Sequence, residues 1–132
     1  MILKVIVKTL FIFIFTIFLL GCDEDKEIDY SDFEGQFITE VSDQLNMPYE
    51  DYYVYYYGVY CGACITVKPE VLDAFFYAKN DIIYLVEVED ISSINSETNI
   101  KNTPAIIRVI AGEVEETYIG VSEIRGMLDE ID

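Results

Sequence analysis

Histidine is absent from all 132 residues. Its absence removes the side chain that most often serves as a general base near neutral pH and most often ligates metals. Neither a Ser-His-Asp nor a Cys-His centre can be built from this chain alone. Positive charge is also scarce: eight Lys and Arg face 25 Asp and Glu, for a formal charge of −17. Every acidic residue follows residue 22, with six of the eight basic ones, so that part of the chain balances at −19. A surface of that sign repels nucleic acid and anionic lipid, and no basic stripe offsets it. Nucleic acid is therefore excluded as a partner. There are only three prolines and three cysteines, few enough that each must be accounted for. No internal repeat is present.

Cys22 stands apart from the other two cysteines. Lys4 and Lys8 precede an apolar run from Thr9 to Leu20, the pattern of a secretory signal. As a membrane span the run is at the short end. Its last residues, Leu19-Leu20-Gly21-Cys22, resemble the lipobox of bacterial lipoproteins. That resemblance implies cleavage before Cys22, diacylglycerol on its sulfur, and a chain lipid-anchored at the cell membrane facing outside the cytoplasm. The alternative is an uncleaved N-terminal anchor carrying an ordinary cysteine. Both put the rest of the chain where thiols can be oxidised. Residues 1–21 then read as a lipoprotein signal peptide, 22–32 as a short acidic tether, and 33–132 as one domain. About 110 residues after processing suit a single core.

Within that domain, Phe33, Phe37, Val41 and Leu45 recur every fourth residue and predict a helix ended by Asn46-Met47-Pro48. Tyr52 to Tyr57 is rich in β-forming types and reads as a buried strand broken at Gly58. A helix is expected from Cys61 to about Lys79, with Pro69 kinking it. Ile82 to Val88 reads as a second buried strand, and Ile91 to Ile100 as an ambiguous stretch with a short helix. Strands over Pro104 to Ile110 and Glu113 to Ile119 flank a hairpin turn at Ala111-Gly112. Ser122 is expected to cap a last helix whose Ile124, Leu128 and Ile131 share a face. The order predicts an α/β fold, a central sheet covered on both faces.

The remaining cysteines stand in Tyr60-Cys61-Gly62-Ala63-Cys64. Two cysteines separated by two residues can close and reopen a disulfide. With Pro69 eight residues beyond Cys61, Pro104 opening a hairpin strand, and Gly112 and Gly120 after it, the chain resembles the thioredoxin family over about residues 33–132. The resemblance implies a thioredoxin-like fold with a central mixed sheet. It also implies a helix starting at the cysteine pair and a cis Thr103–Pro104 bond facing the disulfide. Three departures stand out. Tyr60 replaces the family's tryptophan, Ala63 its proline, and Tyr55 falls where the family keeps a buried aspartate. The family's first strand is not evident before Phe33; the sheet is trimmed there, or residues near Ile28-Asp29-Tyr30 supply it.

The implied activity is a thiol–disulfide oxidoreductase. Cys61, at a helix start where free N–H groups favour a thiolate, would attack, and Cys64 would resolve. Ala63, unlike proline, would add an N–H donor near the Cys61 sulfur. Gly62, Ala63 and Pro69 would support the motif, while Tyr60, Thr103 and Pro104 would bind substrate. No cofactor is implied and no metal ligand set is proposed. The expected partners are exported proteins or peptides with thiols or disulfides, a redox partner protein, and the membrane through lipid on Cys22. The alternative is a redox-inert or metal-handling thioredoxin-like binding module, for example an accessory to peptide or bacteriocin export. Arg108 reads as an edge or rim charge on its strand.

Overall fold

The computed structural model describes residues 2–8 and 26–132. Residues 2–8 are helical; the lipobox with Cys22, and most of the signal-like run, lie outside the described residues. Among the described residues no helix is long and apolar enough to cross a membrane.

The fold is built around β1 (Asp51–Tyr57), whose six residues from Tyr52 onward are all buried. Successive side chains on a strand point to opposite faces, so a strand buried throughout needs cover on both sides. Tyr53, Tyr55 and Tyr57 enter one core; Tyr52, Val54 and Tyr56 enter the other. β2 (Ile83–Glu87) runs parallel to β1 on one side. β3 (Ala105–Ile110) runs antiparallel on the other and pairs with β4 (Glu113–Ile119), giving the order β2-β1-β3-β4. The β3–β4 turn has positive φ at both Ala111 and Gly112, the conformation whose twist matches a two-residue hairpin.

The two faces are covered by different elements. On the first, α1 (Gly62–Phe76) and α2 (Gly120–Leu128) pack Val67, Val71, Leu72, Phe75, Ile124 and Met127 against the sheet. On the second, among the described residues, lie 3-10 turns, Val41–Leu45, Ile91–Ser93 and Ser96–Thr98, with the irregular segments that carry Ile38, Ile94 and Ile100. Gln44 fastens that face. Its Nε2 donates to the Ser93 carbonyl at 2.7 Å, and its Oε1 accepts from the Tyr56 hydroxyl and the Asn95 N–H, each at 2.9 Å.

The structure revises several expectations. The helix predicted from Phe33 to Leu45 is two 3-10 turns, Tyr30–Phe33 and Val41–Leu45, with a single parallel bridge between Phe37 and Leu85. Ile38 N–H donates to Leu85 O, and Leu85 N–H to Gln36 O. The family's first strand is thus trimmed to one bridge beside β2. The four-residue recurrence misled because Phe37 and Val41 stay exposed while Gln44, a polar residue, is buried. Residues 28–32 do not form part of a solvated tether: Ile28 is buried in the first core, and Tyr30–Phe33 packs with α1. Ser122 lies inside α2, whose start is instead closed by the Glu123 carboxylate accepting from Ile119 N–H at 2.7 Å. Arg108 occupies an interior strand. It forks onto Asp51 at 3.0 and 2.8 Å and faces Glu116 at 3.7 Å.

Tyrosines therefore form much of both cores, and burial raises the pKa of each buried one, Tyr55 to about 12. A raised folded pKa stabilises the fold fully below the unfolded value of about 10 and progressively less above it. Cooperative unfolding is expected as pH climbs from about 10 toward 12, with the phenolate absorbance of the buried tyrosines appearing together with loss of the circular dichroism signal. Phenolate absorbance that reaches full amplitude near pH 10 in the folded protein would contradict this.

Candidate functional site: a disulfide at a helix start

β1 delivers the chain from the core to the surface at Tyr57. Val88 N–H donates to Tyr57 O at 2.8 Å, which fixes the end of the strand against the segment leaving β2. Gly58 then turns the chain, accepting from Cys61 N–H at 3.3 Å. Cys61 takes extended backbone angles and is the N-cap of α1, where its sulfur accepts from Cys64 N–H at 3.2 Å. A sulfur can cap here because the first turn of any helix has N–H groups without intrahelical partners. The expected donor, Ala63 N–H, makes no bond to the sulfur; Cys64, one residue further on, supplies it. Gly62 and Ala63 are exposed.

Cys61 and Cys64 are joined in a disulfide. Their accessibility differs sharply: Cys61 is half-buried, whereas Cys64 is 1% exposed. An attacking sulfur can therefore reach Cys61 and not Cys64. Pro69 lies inside α1 on its exposed side, where it withholds the N–H that the Ile65 carbonyl would otherwise accept.

A second loop meets this one. The Thr103–Pro104 peptide bond is cis, and the Thr103 carbonyl oxygen lies 3.6 Å from Cys61 Sγ. Pro104 is buried, and its carbonyl accepts from Gly120 N–H at 2.9 Å. Gly120 has φ of +84°, a conformation that glycine adopts without a Cβ clash. The glycine that starts α2 thus holds the loop that faces the disulfide. Tyr60 is 99% exposed, with Val59 and Ile65 also exposed around Cys61. A cleft of about 610 Å³ opens beside the disulfide between Gly58–Cys61 and Glu87–Glu89.

Beneath the site, Tyr55 is fully buried; among the described residues its hydroxyl faces the Tyr30 hydroxyl in a contact that falls short of hydrogen-bond geometry. Burial pushes its pKa up to about 12, so at neutral pH it is a phenol and not a proton acceptor. Tyr57 stacks between Tyr55 and Tyr30, and Lys68 of α1 lies over the Tyr30 ring while its ammonium pairs with Asp29. The pairing with Lys68 holds the Asp29 carboxyl below its usual range. Among the described residues no group of three or more His, Cys, Asp or Glu is placed to hold a metal ion.

Sequence reasoning missed two parts of this region. One is the Asp29–Tyr30 strap onto α1, for which a lone Tyr in an acidic stretch gave no periodic signal. The other is the pair Glu87 and Glu89 across the cleft, whose signal is acids two residues apart at the end of an apolar strand.

A family model described as thioredoxin matches residues 34–132. No curated protein sequence matches the chain. Among solved structures, oxidised thioredoxin from Plasmodium falciparum superposes with a TM-score of 0.60 at 18% identity, over 72% of this chain and 95% of that one. Oxidised mitochondrial thioredoxin 3 from Saccharomyces cerevisiae gives 0.61 at 14% identity, covering 73% and 94%. Oxidised thioredoxin O2 from Arabidopsis thaliana gives 0.56 at 15% identity, covering 73% and 93%. At these identities the likeness speaks to the fold alone.

The weakly partnered Tyr55 hydroxyl yields a test. An unpartnered buried hydroxyl costs about 1–3 kcal/mol, so Tyr55→Phe should leave the protein as stable or more stable, by up to about that amount, in urea unfolding. A loss of more than about 1 kcal/mol would mean that the contact with Tyr30 acts as a full hydrogen bond.

Proposed function

The chain belongs to the thioredoxin family and is a thiol–disulfide oxidoreductase; on that premise we propose that it is membrane-tethered, works outside the cytoplasm and exchanges disulfides with exported proteins. The observation that carries the exchange mechanism is the pairing of an accessible Cys61 at a helix start with a buried Cys64, beside the cis Thr103–Pro104 bond. In the oxidising direction a client thiolate attacks Cys61 Sγ. The Cys61–Cys64 bond breaks and Cys64 leaves as a thiolate. A second client thiolate then attacks the mixed disulfide and releases Cys61 as a thiolate, which the Cys64 N–H and the helix start stabilise. The client loses two electrons and the pair gains them; the reverse sequence reduces a client disulfide. A redox partner protein restores the starting state.

Tyr60, Thr103 and Pro104 are the proposed client-binding residues. Tyr60 offers an exposed ring beside the sulfur. Thr103 offers backbone to an extended client segment, since Pro104 has no N–H to give. Gly62, Ala63 and Pro69 shape the turn and helix that hold the pair. Tethering and location rest on Leu19-Leu20-Gly21-Cys22 and the apolar run before it.

Cys64→Ser should accumulate mixed disulfides between Cys61 and client proteins, visible as bands lost on reduction, whereas Cys61→Ser should accumulate none. If neither variant captures a client, exchange with proteins is not its work. Mass spectrometry of the protein from a bacterial membrane should find Cys22 as a diacylglycerol-modified N-terminus, and Cys22→Ser should abolish the modification. An unlipidated chain that keeps Met1 would overturn the tether.

A further inference from the structure

The cleft beside Cys61 is asymmetric in charge. One wall is Gly58 to Cys61, with Tyr60 exposed; the other is Glu87, Val88 and Glu89. Glu87 ends β2 and Glu89 follows two residues later; both are exposed. Neither carboxylate takes part in an ion pair or hydrogen bond among the described residues, where Lys26, Lys68, Arg108 and Arg125 pair with other acids. Lys68 lines an adjoining cleft that Glu87 also borders, but its ammonium is occupied by Asp29. The lining of the disulfide cleft therefore has two uncommitted negative charges, an exposed tyrosine and no positive charge.

Carboxylates on one wall of a cleft and an exposed tyrosine on the other suit a long cationic side chain. The ring takes the cation on its face or the methylene stem along its edge, while the carboxylates accept from the ammonium or guanidinium. We propose that Glu87, Glu89 and Tyr60 select client segments with a Lys or Arg next to the reacting cysteine, and disfavour acidic ones. The inference rests on the oxidoreductase reading and names the client chemistry of the same site. The overall acidity of the chain would favour basic clients anywhere on the surface, so the test must separate a local effect from a general one.

The full chain in detergent, oxidised at Cys61–Cys64, is reacted with three synthetic dithiol peptides that differ only in a Lys, Gln or Glu beside the first cysteine. Rates are read by acid quench and mass spectrometry. Each is divided by the rate of the same peptide with bis(2-hydroxyethyl) disulfide, an uncharged reference, which removes the peptide thiol's own reactivity. The Lys peptide should outpace the Glu peptide by about tenfold at low ionic strength. The ratio should fall to about threefold or less near 1 M salt, where screening acts within about 3 Å. The double substitution Glu87→Gln and Glu89→Gln should abolish the preference, and Glu89→Gln alone, outside the strand, should reduce it. Glu113→Gln with Glu115→Gln changes the net charge equally, at the end of β4 remote from Pro104, and should keep it. A preference that survives the first pair, or that falls equally with the second, overturns the proposal. Exchange with all peptides but no preference overturns the selectivity alone; no exchange with any peptide overturns the oxidoreductase reading and this proposal with it.

Discussion

A strand buried on both faces is the constraint on which the rest of this structure depends. Tyr52 to Tyr57 gives three side chains to each core, and β1 is hydrogen-bonded on both edges, to β2 and to β3. Nothing in it can shift register without moving aromatic rings from one core to the other. The reactive turn begins at the residue where that strand stops. Cys61 is positioned because Tyr57 is fixed, and Tyr57 is fixed by Val88 on one side and by the stacked rings of Tyr30 and Tyr55 on its face.

The cover of that strand is economical. Two α-helices on one face meet the need there, and α1 carries the redox pair at its first turn. Among the described residues the opposite face has no α-helix. Short 3-10 turns reach it, and a single buried glutamine links them to the sheet and to each other. Because each of Gln44's side-chain bonds goes to a different segment, that face is defined by polar geometry as much as by apolar area. The bonds suit a chain with little sequence between its strands: one amide organises turns too short to form a helix of their own.

Much of the fold and most of the site were legible in the residues. Strands made of consecutive Tyr, Val and Ile announce themselves by type, and they were bounded by Gly58, Gly112 and Gly120. The cysteine pair with Pro69 and Pro104 marked both loops that meet at the disulfide. What was not legible had physical causes. Phe33, Phe37, Val41 and Leu45 have the spacing of a helix face, but the chain between Phe33 and Leu45 spends its hydrogen bonds on a bridge to Leu85, which no local pattern reports. Ser122 has the chemistry of a cap, yet the positive φ of Gly120 starts the helix two residues earlier and leaves Glu123 to close it. The strap of Asp29 and Tyr30 on α1 is a contact between residues far apart in sequence, as are the charges across the cleft. Such pairings become visible only when the topology is known.

The strap has a mechanical consequence. A chain held at Cys22, as proposed, has seven residues to Asp29, at most about 25 Å when fully extended. Asp29 and Tyr30 are clamped to Lys68 and Tyr57, on the border of a cleft that Val59 and Ile65 share. Tethered there, the domain would be suspended from the same end that bears the disulfide. Its reactive face would then work close to the plane of attachment, meeting clients by swivelling about that point and not by reaching away from it.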